Sequence, residues 1–373
     1  MSRNWRNIYA ELTDFISRNP QIKLGQELIV IPEDCRKEFY RIFDLTRSAF
    51  VEEEYPGFIE RARPLCLSYL QAEKEIIENP AVSEIIISNP LRWFVDNPVN
   101  GVRRPLYDLL FDLLRDRINF EQFQTLGRKS IREWDSGLEA QCYRHWLVLS
   151  LTNLLKPNRF FYVNLEVGSS SVAEVSGYQP AEAPVREPEE THKISLVYPP
   201  YNIFIVPDIL IYSTRISRFV ALRAEPSQAT WTANNASEDI EWRPIDQDLL
   251  LVPGLITINI SNNLEDLALI RDSKKIARPD LTFVCREPEN WYQEEWFGGL
   301  SSSREILNPR LGMYIISRTE VPEEVTSKLS FHTVLDRLSE EEPEENGNDI
   351  QILNADLDVS KLDSFINMLA SLD

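Results

Sequence analysis

The chain has 373 residues, of which 43% are hydrophobic and 26% charged, an ordinary globular composition that excludes collagen-like, wholly disordered and coiled-coil proteins. Its 39 basic and 59 acidic residues leave a net charge of −20, which favours solubility and disfavours anionic membranes. The length indicates two or three structural units. No apolar run approaches the roughly 18 residues of a membrane span, so we expect no membrane association.

The cysteine content and the start of the chain bear on location. Four cysteines are too few for a disulfide framework, and the polar first residues contain no apolar signal core. We therefore expect a reducing, cytoplasmic location.

The net charge is unevenly distributed along the chain. Residues 1–150 hold 20 basic and 23 acidic residues, a net of −3, whereas residues 333–373 hold 2 and 11, a net of −9. The body is therefore only mildly acidic, and its basic residues could form a local patch. Composition gives no support for a strong general attraction to nucleic acid, which needs clustered positive charge.

Up to about residue 157 the apolar residues recur at helical spacing. The first segment places Trp5, Ile8 and Leu12 on one helical face. Further helices are predicted over 36–50, 56–77 (broken or kinked at Pro64), 106–117, 118–126 and 135–155. We interpret residues 1–134 as a helical domain.

Beyond residue 157, short β-rich segments replace the helical pattern. Strands are predicted over 159–167, 192–200, 202–213, 218–225, 249–261, 280–287 and 313–319. A predicted helix over 263–277 lies between two of these strands and creates a β–α–β step. The expected fold class is therefore α+β or α/β, with an N-terminal helical region and a mixed-sheet domain flanked by helices.

The α/β domain is assigned to residues 135–332. Its predicted sheet includes strands near 159–166, 203–212, 255–261 and 280–285. Two polar stretches, near 168–191 and 226–244, are interpreted as mobile insertions.

The last segment, residues 333–373, combines an acidic linker with an amphipathic helix. Residues 339–349 have the composition of an unfolded chain that self-repulsion holds open. Beyond them, five apolar side chains share one helical face: Leu362, Phe365, Ile366, Leu369 and Leu372. We expect this face to bind a groove on a protein partner. The alternative is that the helix folds back on its own domain.

Several charged residues occur in an informative order. Glu139 lies on a predicted helix, Asp208 follows a proline at the start of a strand, and Lys274 and Lys275 lie on a later helix. This order resembles the PD-(D/E)xK, or restriction-endonuclease-like, superfamily over about residues 135–320. The resemblance implies that Glu139 and Asp208 bind Mg²⁺, a hard cation that prefers carboxylate oxygens, and that Lys275 or Lys274 orients the attacking water.

The acidic-x-lysine motif of that superfamily is degenerate in either alignment. If the third motif lies on strand 218–225, its positions read Arg223-Ala224-Glu225, which reverses the charges. If it lies on strand 255–261, they read Asn259-Ile260-Ser261, which removes both charges. The second alignment fits the predicted order of strands better, and stretch 214–250 would then be an inserted hairpin and loop.

Two classes of function remain open. In the first, the chain is a non-catalytic or weakly active adaptor on a nuclease fold, an interaction subunit of a bacterial nucleic-acid-handling system, with defence as the context that the family suggests. In the second, it is an active Mg²⁺-dependent nuclease with a rearranged site. Asn259, Ser261 and the net charge favour the adaptor.

A zinc site is the other metal chemistry to weigh. Cys142 and His145 have metal-compatible spacing, but the sequence offers no second pair of ligands. A four-ligand zinc site is therefore not expected.

Overall fold

The computed structural model describes residues 4–25, 28–162, 189–196, 209–223, 255–261, 279–285, 300, 304, 309–321, 323 and 350–372. The chain divides into two compact units, one of residues 1–70 and 88–142 and the other of residues 71–87 and 143–373. The sequence places the boundary at residue 134 instead, and it does not predict that residues 71–87 belong with the second unit.

The N-terminal part of the chain is helical, as its periodicity predicts. Its helices are α1 (Trp5–Arg18), α2 (Glu33–Glu54), α3 (Phe58–Ile77), α4 (Asn89–Asp96), α5 (Pro98–Val102), α6 (Leu106–Leu114) and α7 (Phe120–Leu155). A short antiparallel pair of strands, β1 (Lys23–Leu24) and β2 (Ile29–Val30), connects α1 to α2. Helix α3 continues through Pro64 without the predicted break. Helices α3 and α7 each begin in the first unit and end in the second.

Helix α7 is one continuous helix of 36 residues, whereas the sequence predicts two helices, over 118–126 and 135–155. Gly127 lies inside this continuous helix and has a packing role. A Cβ atom built on Gly127 would lie 2.8 Å from Cζ of Phe50, so only glycine permits this approach. The close contact explains why a residue of low helix propensity lies inside the helix.

The core of the first unit contains a cluster of aromatic rings around Trp5. Its ring centroid lies 5.2 Å from that of Phe50 and 5.4 Å from that of Phe123, and the indole is fully buried. The indole nitrogen donates a hydrogen bond of 3.1 Å to Glu54, which also accepts one from Gln124. Helix α1 is thus held to α2 and α7 by both apolar packing and a shared carboxylate.

Within the described ranges, the second unit is built on a mixed sheet of eight strands. Its strands are β4 (Pro157–Tyr162), β5 (Glu189–Thr191), β7 (Ile209–Ser213), β8 (Arg218–Arg223), β9 (Ile256–Ser261), β10 (Leu281–Cys285), β11 (Met313–Ser317) and β12 (Gln351–Asn354). Their order is β12-β11-β10-β9-β8-β7-β4-β5. The strands from β8 to β12 are parallel to one another, and the remaining pairs are antiparallel. Strands β3 (Glu84–Ile86) and β6 (Lys193–Ser195) form a separate parallel pair.

The sheet confirms the predicted mixed-sheet domain. Strands β4, β7, β9 and β10 overlap the four segments that the sequence assigns to one sheet. One expectation is wrong, because β8 lies inside the sheet between β7 and β9 and is not part of an inserted hairpin. The predicted helix over 263–277 and most residues of both predicted insertions lie outside the described residues.

The C-terminal segment packs on its own sheet, which is the alternative that the sequence leaves open. The expectation of a free helix at the end of an acidic linker is therefore wrong for residues 350–372. Strand β12 adds to the edge of the sheet beside β11, and helix α8 (Asp363–Ala370) follows a 3-10 turn. The ring of Phe365 lies 4.9 Å from that of Phe283 and 4.6 Å from that of Tyr314. The predicted partner-binding side chains Leu362, Phe365, Ile366 and Leu369 are buried, and Leu372 is half-buried. The acidic stretch 339–349 lies outside the described residues.

An ion pair adds a polar contact to this docking. The guanidinium of Arg215, in the turn between β7 and β8, contacts both carboxylate oxygens of Asp363, at 2.7 and 3.0 Å. This hydrogen bond and the nearby positive charge hold the pKa of Asp363 below its ordinary value. The start of α8 is therefore attached to the sheet at a defined position.

We expect Trp5→Ala to lower the free energy of unfolding by about 3–5 kcal/mol, because it removes the largest buried ring of the first unit. Urea unfolding measures the change. The matched control is Trp93→Ala, since the Trp93 side chain is 47% exposed, and it should change stability by less than about 0.5 kcal/mol. Equal effects of the two substitutions would contradict the assigned core.

We expect Phe365→Ala to destabilise the second unit by about 3–5 kcal/mol, since the ring fills the space over β10 and β11. The exposed Ser364→Ala on the same helix is the control and should have little effect. Thermal unfolding of both variants measures the difference. A helix that extends free into solvent would give the same transition for both.

Candidate functional site

The residues that the sequence proposes as a nuclease site are only partly described. Asp208, Lys274 and Lys275 lie outside the described residues. Glu139 belongs to the first unit, and Asn259 and Ser261 belong to the second, where they lie on β9. The surroundings of Glu139 and Asn259 can therefore be considered one at a time.

Glu139 lies on α7 one helical turn after Asp135 and close to an arginine. Asp135 is buried, accepts a hydrogen bond of 3.0 Å from the Tyr55 hydroxyl and lies 3.5 Å from Nη2 of Arg61. Burial acts to lower the pKa of the Arg61 guanidinium. The hydrogen bond to Tyr55 and the charges of Glu139 and Asp135 act in the opposite direction and raise this pKa above its ordinary value. The charge of Glu139 thus contributes to the electrostatic environment of Arg61.

Asn259 lies in the middle of the sheet and is 1% exposed. Its Cα partner on β10 is Thr282, which is also fully buried. Neither Oδ1 of Asn259 nor Oγ1 of Thr282 has a hydrogen-bond partner within the described residues. At the predicted third-motif position on β9, the side chains of Asn259 and of its β10 partner Thr282 are therefore buried, polar and uncharged.

The sheet order changes which alignment of the third motif fits. Strand β7 begins directly after Asp208, and its neighbour in the sheet is β8, not β9. The strand next to the aspartate thus leads into Arg223-Ala224-Glu225, and Arg223 is in register with Asn259 on β9. The alignment on 255–261 that the sequence favours is therefore the poorer of the two in this topology.

Neither third-motif position supplies a charged oxygen ligand for Mg²⁺. The cation needs hard, charged oxygen ligands to offset the cost of losing water. The β9 position offers a neutral amide, and the β8 position offers a guanidinium where the superfamily has a carboxylate. In the described part of the chain, no group of three or more His, Cys, Asp or Glu side chains is placed to bind a metal ion.

A Pro-Asp pair like the one at Asp208 recurs at Pro279-Asp280, directly before β10. Its aspartate holds neighbouring segments of the sheet together. The Asp280 carboxylate is buried, accepts a hydrogen bond of 2.7 Å from the backbone of Thr257 and lies 3.3 Å from Nη1 of Arg310. Its backbone oxygen accepts a bond from Leu311. Asp280 thus joins β9, β10 and the segment before β11, which is a structural role.

His145 is an isolated buried histidine. It is fully buried on α7, and neither ring nitrogen has a hydrogen-bond partner in the described residues. Burial, with a further contribution from the charge of Arg144, lowers the pKa of His145 well below its ordinary value. The ring is therefore neutral at pH 7.

A surface that the sequence does not predict lies around α6 in the first unit. A groove of about 710 Å³ is lined by residues that include Arg36, Tyr40 and Arg115. An adjoining groove of about 680 Å³ is lined by residues that include Trp93 and Arg104. The two share Tyr107 and Asp108, and we call them together the α6 groove. Its arginines are Arg36, Arg47, Arg103, Arg104, Arg115 and Arg117.

Three of these arginines have polar partners that fix the groove wall. Asp44 forms ion pairs with both Arg47 and Arg103, the latter at 3.2 Å. Arg117 pairs with Asp112 at 3.2 Å. The remaining three have no ion pair with a described carboxylate: Arg36, Arg104 and Arg115. The groove therefore contains both structural guanidiniums and guanidiniums that are free to bind an anion.

The Tyr107 ring is held in position at the centre of the groove. The guanidinium of Arg47 lies 5.2 Å from its ring centroid, and its hydroxyl lies 3.3 Å from that of Tyr40. Partial burial and the bond to Tyr40 raise the pKa of Tyr107 to about 12, so the phenol stays neutral. The ring is 37% exposed, so one part of it remains accessible to a ligand.

A sequence signal for this groove exists, but it is weak. Arg103-Arg104 and Arg115-Asp116-Arg117 flank α6 on both sides. Arg36 lies about seventy residues earlier, and only the packing of α2 against α6 brings it to the same groove.

We expect His145 to make stability depend on pH. Because its folded pKa is lowered, the unfolded chain binds more protons below about pH 6.5, and stability falls as the pH falls through that value. His145→Leu should remove up to about 1.4 kcal/mol per pH unit of this slope in urea unfolding between pH 7 and 5.5. The control Ser150→Ala alters another buried polar side chain of α7 and should keep the slope. An unchanged slope in the leucine variant would contradict the neutral assignment.

Comparison of the chain with protein-family models, with curated proteins and with solved structures finds no match. The resemblance to the restriction-endonuclease-like superfamily therefore rests on the sequence order of residues alone. Within the described ranges, no helix has both the length and the apolar character of a membrane span.

Proposed function

We propose that the chain is a nucleic-acid-handling adaptor that binds its target without cutting it. The proposal combines a degenerate version of the restriction-endonuclease-like motif in the second unit with an arginine-rich groove in the first. The arrangement suits recognition, because its charged side chains line an open surface and none of the described residues assembles a metal site.

The observation that carries this proposal is the chemistry of the third motif. Strand β8 follows β7 in the sheet, and the residue where a metal-binding carboxylate would be needed is Arg223. A guanidinium repels a divalent cation and cannot act as its ligand. On β9 the equivalent position is the buried, neutral Asn259. Both alignments thus support loss of metal-dependent cleavage.

The interaction surface of this adaptor is assigned to the helical unit. The face of α8 that the sequence assigns to a partner is buried against β10 and β11, so it is not available for docking. The first unit holds 18 basic and 19 acidic residues, which leaves 21 basic and 40 acidic residues for the second. An anionic target therefore meets much less repulsion at the first unit.

A cleavage assay tests the proposal. The purified chain is incubated with labelled single- and double-stranded DNA and RNA in the presence of Mg²⁺ or Mn²⁺. We expect no cutting above the background of a preparation carrying Asp208→Ala, because neither third-motif strand, β8 or β9, offers an acidic-x-lysine pair to bind the metal and orient water.

The outcome that would support an active nuclease is equally clear. Metal-dependent cutting that Asp208→Ala abolishes, while Glu78→Ala on an exposed helix end leaves it intact, would replace the adaptor with a nuclease that has a rearranged site. Loss of that cutting in Lys275→Ala or in Lys274→Ala would show which of the two candidate lysines serves such a site.

A further inference from the structure

We propose that the α6 groove of the helical unit binds single-stranded nucleic acid, with its free arginines on the phosphates and its exposed rings against the bases. This inference deepens the proposed function and rests on it only for the expectation that the target is a nucleic acid. The evidence is the composition and geometry of the groove itself, which does not depend on the sheet.

Guanidiniums that have no ion pair with a described carboxylate give the groove its attraction for phosphates, although Arg104 lies over the ring of Trp134 and Arg115 over that of Phe111. Arg36, Arg104 and Arg115 have no ion pair with a described carboxylate, although all three line the groove. A guanidinium binds a phosphate through a planar pair of hydrogen bonds, which a lone surface lysine cannot form. Arg36 and Arg115 lie in one part of the groove and Arg104 in the other, so the free charges occur in both parts.

Aromatic rings lie between these charges. Trp93 is 47% exposed and Tyr107 is 37% exposed, so both rings are accessible to a ligand. The guanidinium of Arg47, which pairs with Asp44, lies 5.2 Å from the ring centroid of Tyr107. Exposed rings beside cations are the stacking platforms that proteins use for unpaired bases.

The same features disfavour other anionic targets. A duplex keeps its bases stacked on each other, so the rings of Trp93 and Tyr107 would have nothing to contact. It also needs a densely positive surface, whereas Asp108 and Asp112 interrupt the lining. An acidic peptide would use the arginines but not the rings. A single strand offers both kinds of contact, because its phosphates can bind the arginines and its exposed bases can stack on the rings.

Fluorescence anisotropy with a labelled 20-nucleotide dT or rU oligomer tests the inference. The chain is titrated in EDTA, which prevents cleavage, at 50 and 200 mM NaCl. We expect saturable binding of the single strand that is at least about 10-fold tighter than binding of a duplex of equal length, because only the single strand offers bases to stack.

Two charge-matched double variants separate the groove from general electrostatics. Arg36→Gln with Arg104→Gln removes one exposed cation from each part of the groove, and we expect at least a 10-fold loss of affinity and a salt slope shallower by about 1.4. Arg18→Gln with Arg41→Gln removes the same charge from ion pairs outside the groove lining and should change affinity less than about twofold.

The stacking contribution is tested by Trp93→Ala. We expect a loss of about 5- to 150-fold in affinity with an unchanged salt slope, since no charge is removed. We expect the unfolding curve of this variant to match that of the unsubstituted chain. A loss of binding can then be attributed to the missing ring and not to a folding defect.

Each contrary outcome has a defined meaning. No binding of the single strand at 50 mM NaCl, equal losses in the two double variants, or equal affinity for the duplex would overturn the inference. Competition by poly-glutamate as strong as by unlabelled single strand would do the same in favour of an acidic protein. Metal-dependent cutting in the separate assay would contradict the non-catalytic adaptor but leave this groove intact.

Discussion

Parallel strands have to be covered on both faces, and this constraint governs the second unit. Every residue of β10 and β11 is buried, so elements on each side must exclude water from them. The end of the chain provides part of that cover, because Phe365 on α8 packs over Phe283 and Tyr314. The segment that looks like a free docking helix in the sequence is therefore part of the core.

The same burial decides what Asn259 can do. In the interior of a sheet an amide is costly to desolvate and far from the water that a hydrated Mg²⁺ retains. Neither its Oδ1 nor Oγ1 of Thr282 has a described hydrogen-bond partner, so two neutral polar atoms share this buried position.

Charge is divided between the two units in a way that suits this role. The second unit carries almost all of the negative charge, while the helical unit is nearly neutral. Within the helical unit, Asp44 pairs with both Arg47 and Arg103, and Arg47 lies over the ring of Tyr107. The free guanidiniums around it add the charge that a phosphate backbone would meet. A chain of net charge −20 can in this way present a local surface for an anion.

Local sequence patterns are sufficient to predict the helical start, the mixed sheet and the strands β4, β7, β9 and β10, because periodicity and β-branched runs are local properties. The same patterns predict helices over residues 36–50 and 106–117. Tertiary packing determines that β8 lies between β7 and β9, that α8 is buried, and that Arg36 joins Arg104 and Arg115 around α6. Strand order, the cover of a sheet face and the lining of a groove depend on residues far apart in the chain, and a local pattern holds no information about which distant segment will pack against it.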